Sequence, residues 1–428
     1  MRVYLFLFFL LFSNLNAEIQ LIKKESSDSN TTLLVIAGIH GNEPGGYFAA
    51  SLLAQHYKIT SKNLWIVPNL NKESIRKNSR GIHGDMNRKF ATISDSDKDK
   101  ATIKEIKKII LEENVSLILN LHDGNGFYRK KYQGTVFNPN AWGQTCVIDQ
   151  QKLPQEQVFG NLNEIALQVN DSINKQLLKK HHSFDVKNTN TKYEDETMQL
   201  SLTYFAVTNN KPAFAIETSK NLSSLAQKVF YQLLAIEEYM KTMDIGFKRD
   251  FELNESAIAK LLQNYGDLII NSNIALNLND IKKSLSYIPI KSKNNTFHFS
   301  HPLGDIVKYR GEFTIFIGNK RVTTLSPQYF NLSKDCPESI VLEVDGEEIS
   351  SPIASEIFVK DDFKILRDKN CRVNVIGYQK PGVTNESGIT ISRKELEKRF
   401  SIDKSSKVYR VEFYKNNEFC SMLLIHFK

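Results

Sequence analysis

Ile36-Ala37-Gly38-Ile39-His40-Gly41-Asn42-Glu43-Pro44-Gly45-Gly46 decides how the rest of the chain is read. The apolar run Leu33-Leu34-Val35-Ile36-Ala37 before it has the texture of a buried strand, and a helix-like segment, Tyr47 to Gln55, follows its glycines. His40 and Glu43 therefore stand three residues apart in a turn at the end of a predicted strand. That is where open α/β sheets bind ligands and react. Gly41, Gly45 and Gly46 are expected to let the chain turn closely around whatever His40 and Glu43 hold, rather than to cradle a phosphate.

Working outward, strand-like and helix-like segments alternate from Thr31 to about Lys241. Leu64-Trp65-Ile66-Val67 is a second strand, followed by a polar, basic loop through Phe90. A helix from about Asp97 to Glu113 carries Ile103, Ile106, Ile109 and Ile110 on one face, and Val115-Ser116-Leu117-Ile118-Leu119-Asn120-Leu121 reads as a buried strand. After a long irregular stretch come a helix from about Gln155 to Leu178, a polar region near Asn188 to Glu196, the strand Ala213-Phe214-Ala215-Ile216, and a closing helix from about Leu222 to Thr242. The alternation predicts an α/β domain with a mixed, largely parallel sheet flanked by helices.

Beyond Asp250 the texture changes. A short helix around Ala257 to Leu262 leads into strand-length pieces such as Asp267-Leu268-Ile269-Ile270, Phe313 to Ile317, Ile340 to Val344, Val373 to Ile376 and Tyr409 to Phe413, with turns such as Asp345-Gly346 between them. Two small β-rich domains are the economical reading, the last of them a sandwich. The expected division is a leader over 1–17, the α/β domain over 18–247, and β-rich domains over 248–337 and 338–428.

With 428 residues, 41% hydrophobic and 24% charged, the chain is neither disordered nor a multi-span membrane protein. Met1 to Phe12 is one positive charge followed by a short apolar stretch, and Asn16-Ala17 follows soon after. This is the layout of a secretory signal peptide, with an uncleaved N-terminal anchor as the other reading. Without Arg2 the 56 basic residues become 55 against 48 acidic ones, so the formal charge of +8 becomes +7. That balance suits an anionic polymer, membrane surface or acidic substrate. It does not point to nucleic acid, because the lysines are spread along the chain rather than gathered with aromatics. Cys146, Cys336, Cys371 and Cys420 form no C-x-x-C pair; export permits a disulfide among the last three, and buried free thiols are the alternative.

His40-x-x-Glu43 gains weight from His122, which follows Asn120-Leu121 and again lies at a predicted strand end. Two histidines and one glutamate form the ligand set of a catalytic zinc with a position left open. A histidine at a strand terminus can also be a satisfied structural group. Glu217 follows four apolar residues in Ala213-Phe214-Ala215-Ile216-Glu217, so it is either a positioned general base or a structural ion-pair partner. Burial would raise its pKa toward a useful value. The loop from Asn69 to Phe90 holds Arg76, Arg80 and Arg88 and the stretch Asp85-Met86-Asn87-Arg88. Arginine is favoured for carboxylates because its planar fork meets both oxygens.

Taken in order, His40-x-x-Glu43, Asp85-Met86-Asn87-Arg88 with Phe90, His122 and Glu217 resemble the zinc carboxypeptidases of the carboxypeptidase A kind over about residues 31–245. The resemblance implies one zinc ion per chain held by His40, Glu43 and His122, with Glu217 as general base and later general acid. It implies that Asn87 and Arg88 grip a terminal carboxylate and that Asp85 orients a ligand histidine. Arg80 is the candidate for stabilising the oxyanion, with Arg76 as fallback. His122-Asp123-Gly124-Asn125-Gly126-Phe127-Tyr128 departs from the digestive enzymes.

In that departure, and in its appended β domains, the chain looks closer to the periplasmic DL-carboxypeptidases that set helical cell shape. Those enzymes remove meso-diaminopimelate from murein tripeptide. The resemblance thus implies a periplasmic enzyme acting on the uncrosslinked peptidoglycan tripeptide, with cell-shape proteins as partners for the β domains. Asp123, Asn125, Arg129, Lys130 and Glu194-Asp195-Glu196 are available for the two charges of the diaminopimelate side chain, and Tyr204 for the mobile tyrosine of digestive relatives. Two competing readings are a deacylase of the aspartoacylase and succinylglutamate-desuccinylase kind, and a wall-binding protein with a vestigial catalytic domain.

Overall fold

The computed structural model describes residues 19–26, 30–366 and 371–428, so the leader expected over 1–17 lies outside the described residues. The chain forms two compact units, residues 1–259 and 260–428.

Seven strands make the central sheet of the first unit: β1 (Ile22–Lys24), β2 (Thr32–Ile36), β3 (Asn63–Val67), β4 (Val115–Gly124), β5 (Thr145–Ile148), β6 (Asp185–Asn188) and β7 (Ala213–Ser219). Their spatial order is β1-β3-β2-β4-β7-β5-β6. The four central strands β3, β2, β4 and β7 run parallel, while β1 and β5 pair antiparallel with β3 and β7. Parallel strands covered on both faces need continuous apolar sequence, and every residue of β2 and β3 is buried. The expected mixed, largely parallel sheet is observed.

Among the helices that accompany it are α1 (Pro44–His56), α2 (Lys72–Arg76), α3 (Lys100–Leu111), α4 (Leu162–Asn174), α5 (Leu202–Thr208) and α6 (Leu225–Thr242). In α3 the buried residues are Ile103, Ile106, Ile109 and Ile110, the face its spacing predicts. Apart from Lys228, α6 is buried from Ala226 to Met240. Of its two buried acids, Glu237 is matched by Tyr57 Oη at 2.7 Å and Arg249 Nε at 3.0 Å, and Glu238 by Lys241 Nζ at 2.7 Å. The stretch expected to be irregular after His122 contains β5, whose four residues are too few to show a period.

Three glycines of the opening stretch prove to be packing positions. A Cβ on Gly41 would lie 1.9 Å from Ser74 O at α2, one on Gly45 2.3 Å from Asp123 Oδ1, and one on Gly46 2.9 Å from Leu121 Cβ. Gly45 and Gly46 let α1 lie directly on β4, and Gly41 lets the turn before α1 touch α2. The left-handed backbone is at Gly38 instead, with φ of 73°.

The second unit is β-rich. One four-stranded sheet is built from Ser284–Ile290, Lys320–Tyr329, Glu312–Ile317 and Gly304–Tyr309. Toward the C-terminus two further four-stranded sheets share one core. One is centred on Ser339–Val344, the other on Val408–Lys415 and Glu418–Phe427, and Leu342, Phe363, Val411, Phe413 and Leu423 pack between them. That is the sandwich arrangement. A disulfide joins Cys336 to Cys420 across 84 residues, while Cys146 and Cys371 are buried thiols.

Gly41→Ala is expected to destabilise the first unit by about 3 kcal/mol, because the obstructing atoms belong to the backbone and cannot swing aside. The loss is read from thermal unfolding of the full chain.

Candidate active site

The three central strand ends do the positioning. β2 ends at Ile36 and the turn after it carries His40 and Glu43, while β4 runs through His122 to Gly124. In the parallel pairing of β7 with β4, Glu217 stands directly beside His122, and Ala215 beside Asn120. Residues two apart on a strand share a face, so Asn120, His122, Ala215 and Glu217 form one patch. Together with His40, Glu43, Arg80, Asn87 and Arg88 they line a cavity of about 210 Å³.

His40, Glu43 and His122 are 3%, 4% and 3% exposed, and one ligand atom from each lies within 4.8 Å of the others. His40 Nε2 lies 2.8 Å from Asp85 Oδ1. A carboxylate only accepts, so Nε2 carries a proton and Nδ1 is left with an unprotonated lone pair. That Nδ1 is buried and makes no hydrogen bond, although Glu43 Oε1 is 3.1 Å away. His122 Nδ1 lies 2.8 Å from Glu43 Oε2, and the two imidazole centroids are 5.0 Å apart. An orphaned buried nitrogen, a second imidazole and a carboxylate converging on one point fit a divalent metal ion.

The charges around this point are tightly linked. Burial alone would raise the Glu43 carboxyl, but the charge of His40, with the hydrogen bond and charge of His122, holds it well below the usual range. Burial opposes the charge on His40 too, yet Glu43 and Asp85 raise its pKa. For Asp85 the hydrogen bond from His40, with the charges of His40, Arg80 and Arg88, outweighs burial and keeps it ionised. Glu217 goes the other way. Burial pushes it up to about 7 against the attraction of His122, with Glu43 and Asp123 adding to the rise.

Arg80 reaches Asp85 Oδ2 at 2.9 Å through Nε and Glu43 Oε1 at 3.3 Å through Nη1, so it stands at the cavity. Arg76 lies on α2 and does not line it. Asp85 also caps the single turn Met86–Arg88 by accepting from Asn87 N at 2.9 Å, and Asn87 Oδ1 accepts from Leu202 N at 3.0 Å. These bonds fix the backbone from which Asn87 and Arg88 enter the cavity.

Among the residues considered for the second pair of charges, Asp123 and Asn125 line the cavity and the others do not. Arg129 donates to the carbonyls of Tyr128, His181 and Ser183, and Lys130 pairs with Asp185. Asp195 accepts from Met198 N and Glu194 from Asn190, while Tyr204 lies outside the lining. Asp123 itself is a strut, accepting from Gly45 N at 2.9 Å and Thr218 Oγ1 at 2.5 Å.

Sequence reasoning passed over Asn120, Trp142, Met198, Thr203 and Lys220, all of which line the cavity. Asn120 was detectable, being a polar residue two before His122 in an otherwise apolar strand. It is 1% exposed and neither atom of its amide has a partner. Trp142, Met198 and Thr203 enter from loops and a short helix, where no period marks them.

The family model described as "Carboxypeptidase controlling helical cell shape catalytic" matches residues 1–263, and "C-terminal domain of metallo-carboxypeptidase" matches residues 333–428. Among solved structures, the apo cell shape determinant protein Csd4 from Helicobacter pylori is 38% identical, with a TM-score of 0.89 over 96% of this chain and 100% of that one. The tripeptide-bound form of Csd4 from the same organism is 38% identical over the same shares, with a TM-score of 0.88. The mDAP-bound form of H. pylori Csd4, described as a D,L-carboxypeptidase, is 37% identical over 95% and 100%, with a TM-score of 0.89. No curated sequence matches the chain.

Two substitutions test the metal group without reference to turnover. Glu43→Gln is expected to reduce bound metal to a small fraction of the native content, and Asp85→Asn to weaken metal affinity about 10–100-fold by releasing the His40 ring. Elemental analysis and chelator competition measure both, and full retention in Glu43→Gln would place the metal elsewhere.

Proposed function

The chain belongs to the family of carboxypeptidases that control helical cell shape, and from that premise we propose a periplasmic zinc DL-carboxypeptidase that trims peptidoglycan. Its substrate in this reading is the uncrosslinked tripeptide ending in meso-diaminopimelate, and its product the dipeptide. The observation that carries the reading is the company Glu217 keeps: one cavity holds this carboxyl, the His40, Glu43 and His122 group, and the Asn87 and Arg88 pair.

When bound by His40, Glu43 and His122, zinc supplies Lewis acidity that polarises the scissile carbonyl and acidifies water. Arg88 and Asn87 take the terminal carboxylate and so place the amide between γ-D-glutamate and diaminopimelate next to Glu217. Glu217 accepts a proton from the attacking water and delivers it to the leaving amine. A carboxyl held near pH 7 can do both without a large penalty in either direction. Arg80, tethered by Asp85 and Glu43, offers its guanidinium to the developing oxyanion. Asn120 brings a buried donor and acceptor suited to the ammonium and carboxylate on the diaminopimelate side chain.

The same proposal includes secretion by the leader over 1–17, and the division of the rest into a catalytic domain over 18–247 and β-rich modules over 248–337 and 338–428. In it the β-rich modules are the surfaces that meet other cell-shape proteins.

Incubation of the zinc-loaded chain with murein tripeptide and, separately, with N-acyl amino acids is expected to release diaminopimelate from the first and nothing from the second, as read by mass. Glu217→Gln should keep its zinc and lose about a thousandfold in rate. Full activity in that variant overturns the role given to Glu217, and hydrolysis of N-acyl amino acids alone overturns the substrate.

A further inference from the structure

The strand Val408–Lys415 of the second unit alternates in the ordinary way, with Tyr409, Val411 and Phe413 in the sandwich core. Its other face carries Arg410, Glu412 and Tyr414, which that alternation assigns to solvent. All three are buried instead, at 5%, 3% and 4% exposure. They line a cavity of about 310 Å³ inside the second unit.

The polar groups of this cavity are only partly satisfied. Arg410 donates to the carbonyls of Tyr287 at 3.1 Å and Ser286 at 3.3 Å, and approaches Glu412 Oε1 at 3.5 Å. Tyr414 Oη donates to Glu412 Oε2 at 2.7 Å. Arg410 Nε and Glu412 Oε1 are buried with no hydrogen-bond partner. Leaving a charged donor and a charged acceptor unsatisfied in the same cavity is costly, and the group that relieves it must offer an acceptor and a donor side by side. Across the sheet, Arg372 is paired in register with Tyr414 and its guanidinium lies over that ring, 4.5 Å from the centroid. Phe330 and Phe400 complete the apolar wall.

These features select the ligand. Two guanidinium groups against one carboxylate leave the lining with a single positive charge, which favours a ligand carrying one net negative charge. Glu412 repels the roughly one to two negative charges that a phosphate concentrates on a single centre, but accepts from an N–H. A peptide's last residue presents a carboxylate and its own amide N–H one carbon apart, and its side chain suits an aromatic wall. The volume is at the small end of ligand sites, sufficient for one or two residues.

We propose that this cavity binds the free C-terminal residue of a peptide, with its carboxylate taken by Arg410 and Arg372 and its amide N–H by Glu412. The second unit is then a peptide-end reader in its own right, with a site that the catalytic residues do not share.

The test uses the full chain carrying Arg88→Ala, so that the carboxylate grip proposed for the first unit is removed, and titrates it calorimetrically with L-alanyl-D-glutamate. Saturable binding of one probe per chain is expected. Adding Arg372→Ala, or converting the probe's α-carboxylate to an amide, should weaken it about tenfold or more, the effect of one charge-assisted hydrogen bond. Absence of saturation at millimolar probe overturns the proposal and leaves a cavity filled by water. So does unchanged affinity in an Arg372→Ala chain whose unfolding profile is native. Should that variant fail to fold, Arg372→Lys, which keeps the charge but not the planar fork, must show the weakening instead, and equal affinity there overturns the proposal. Only the choice of probe rests on the cleavage reading. Turnover of the tripeptide by the unsubstituted chain decides that reading separately.

Discussion

The first unit depends on a single buried carboxylate. Glu43 stands where a helix-capping residue belongs, immediately before α1, yet its side chain makes no bond to its own helix. It turns instead to His40, His122, Arg80, Lys220 and the backbone N–H of Asp123. A carboxylate at 4% exposure is tolerated only where so many positive or donating groups surround it. They come from the ends of β2, β4 and β7 and from the loop before Arg88, so those segments can meet in few other ways. The task Glu43 gives up passes to Asp123, which accepts from Gly45 N at the start of α1. Neighbouring residues of β4 thus divide the work. His122 completes the cluster with His40 and Glu43, while Asp123 secures the helix that delivers Glu43 to it.

Much of this was legible in the sequence because each contributing residue follows a recognisable apolar run. His40, His122 and Glu217 could be placed at strand ends, and strands in a parallel sheet bring such ends to one edge. Their mutual distances could not be read, because they depend on register. Glu217 faces His122 only because β7 pairs with β4 without an offset, and a slip of one residue would have turned Glu217 to the opposite face. The glycines illustrate the same limit. Their presence announced close approach, but the partner of Gly41 is the backbone of α2 rather than a metal. Only the three-dimensional path of the chain reveals that.

What stayed hidden was hidden for physical reasons. β5 is short, antiparallel to β7 but parallel to β6, a four-residue piece within a loop-rich stretch, and it supplies Val147 to the cavity wall. Trp142, Met198 and Thr203 arrive from segments whose conformation is set by tertiary hydrogen bonds, such as Asn87 Oδ1 accepting from Leu202 N. No local propensity encodes such a contact. Arg129 and Lys130 erred in the opposite direction. They carried the right charge at a plausible distance along the chain, but nearby carbonyls and Asp185 had already claimed them. A charged side chain near a site in sequence is a candidate only until its hydrogen bonds are accounted for.

The same accounting gives the second unit its interest. From Tyr409 to Phe413 polar and apolar residues alternate, and from the pattern alone Arg410, Glu412 and Tyr414 form an unremarkable outer face. Burial changes their meaning, because the cost of a charged group depends on what replaces its water. Around Arg410 two backbone carbonyls and a carboxylate replace most of it, yet Nε and Glu412 Oε1 remain unmatched. A pair retained only for stability would be completed by the protein, since an apolar replacement of similar volume is often no less stable. A pair left open on one side of a cavity has its energetic optimum with something bound. That asymmetry, rather than the presence of charge, separates a binding site from a structural ion pair.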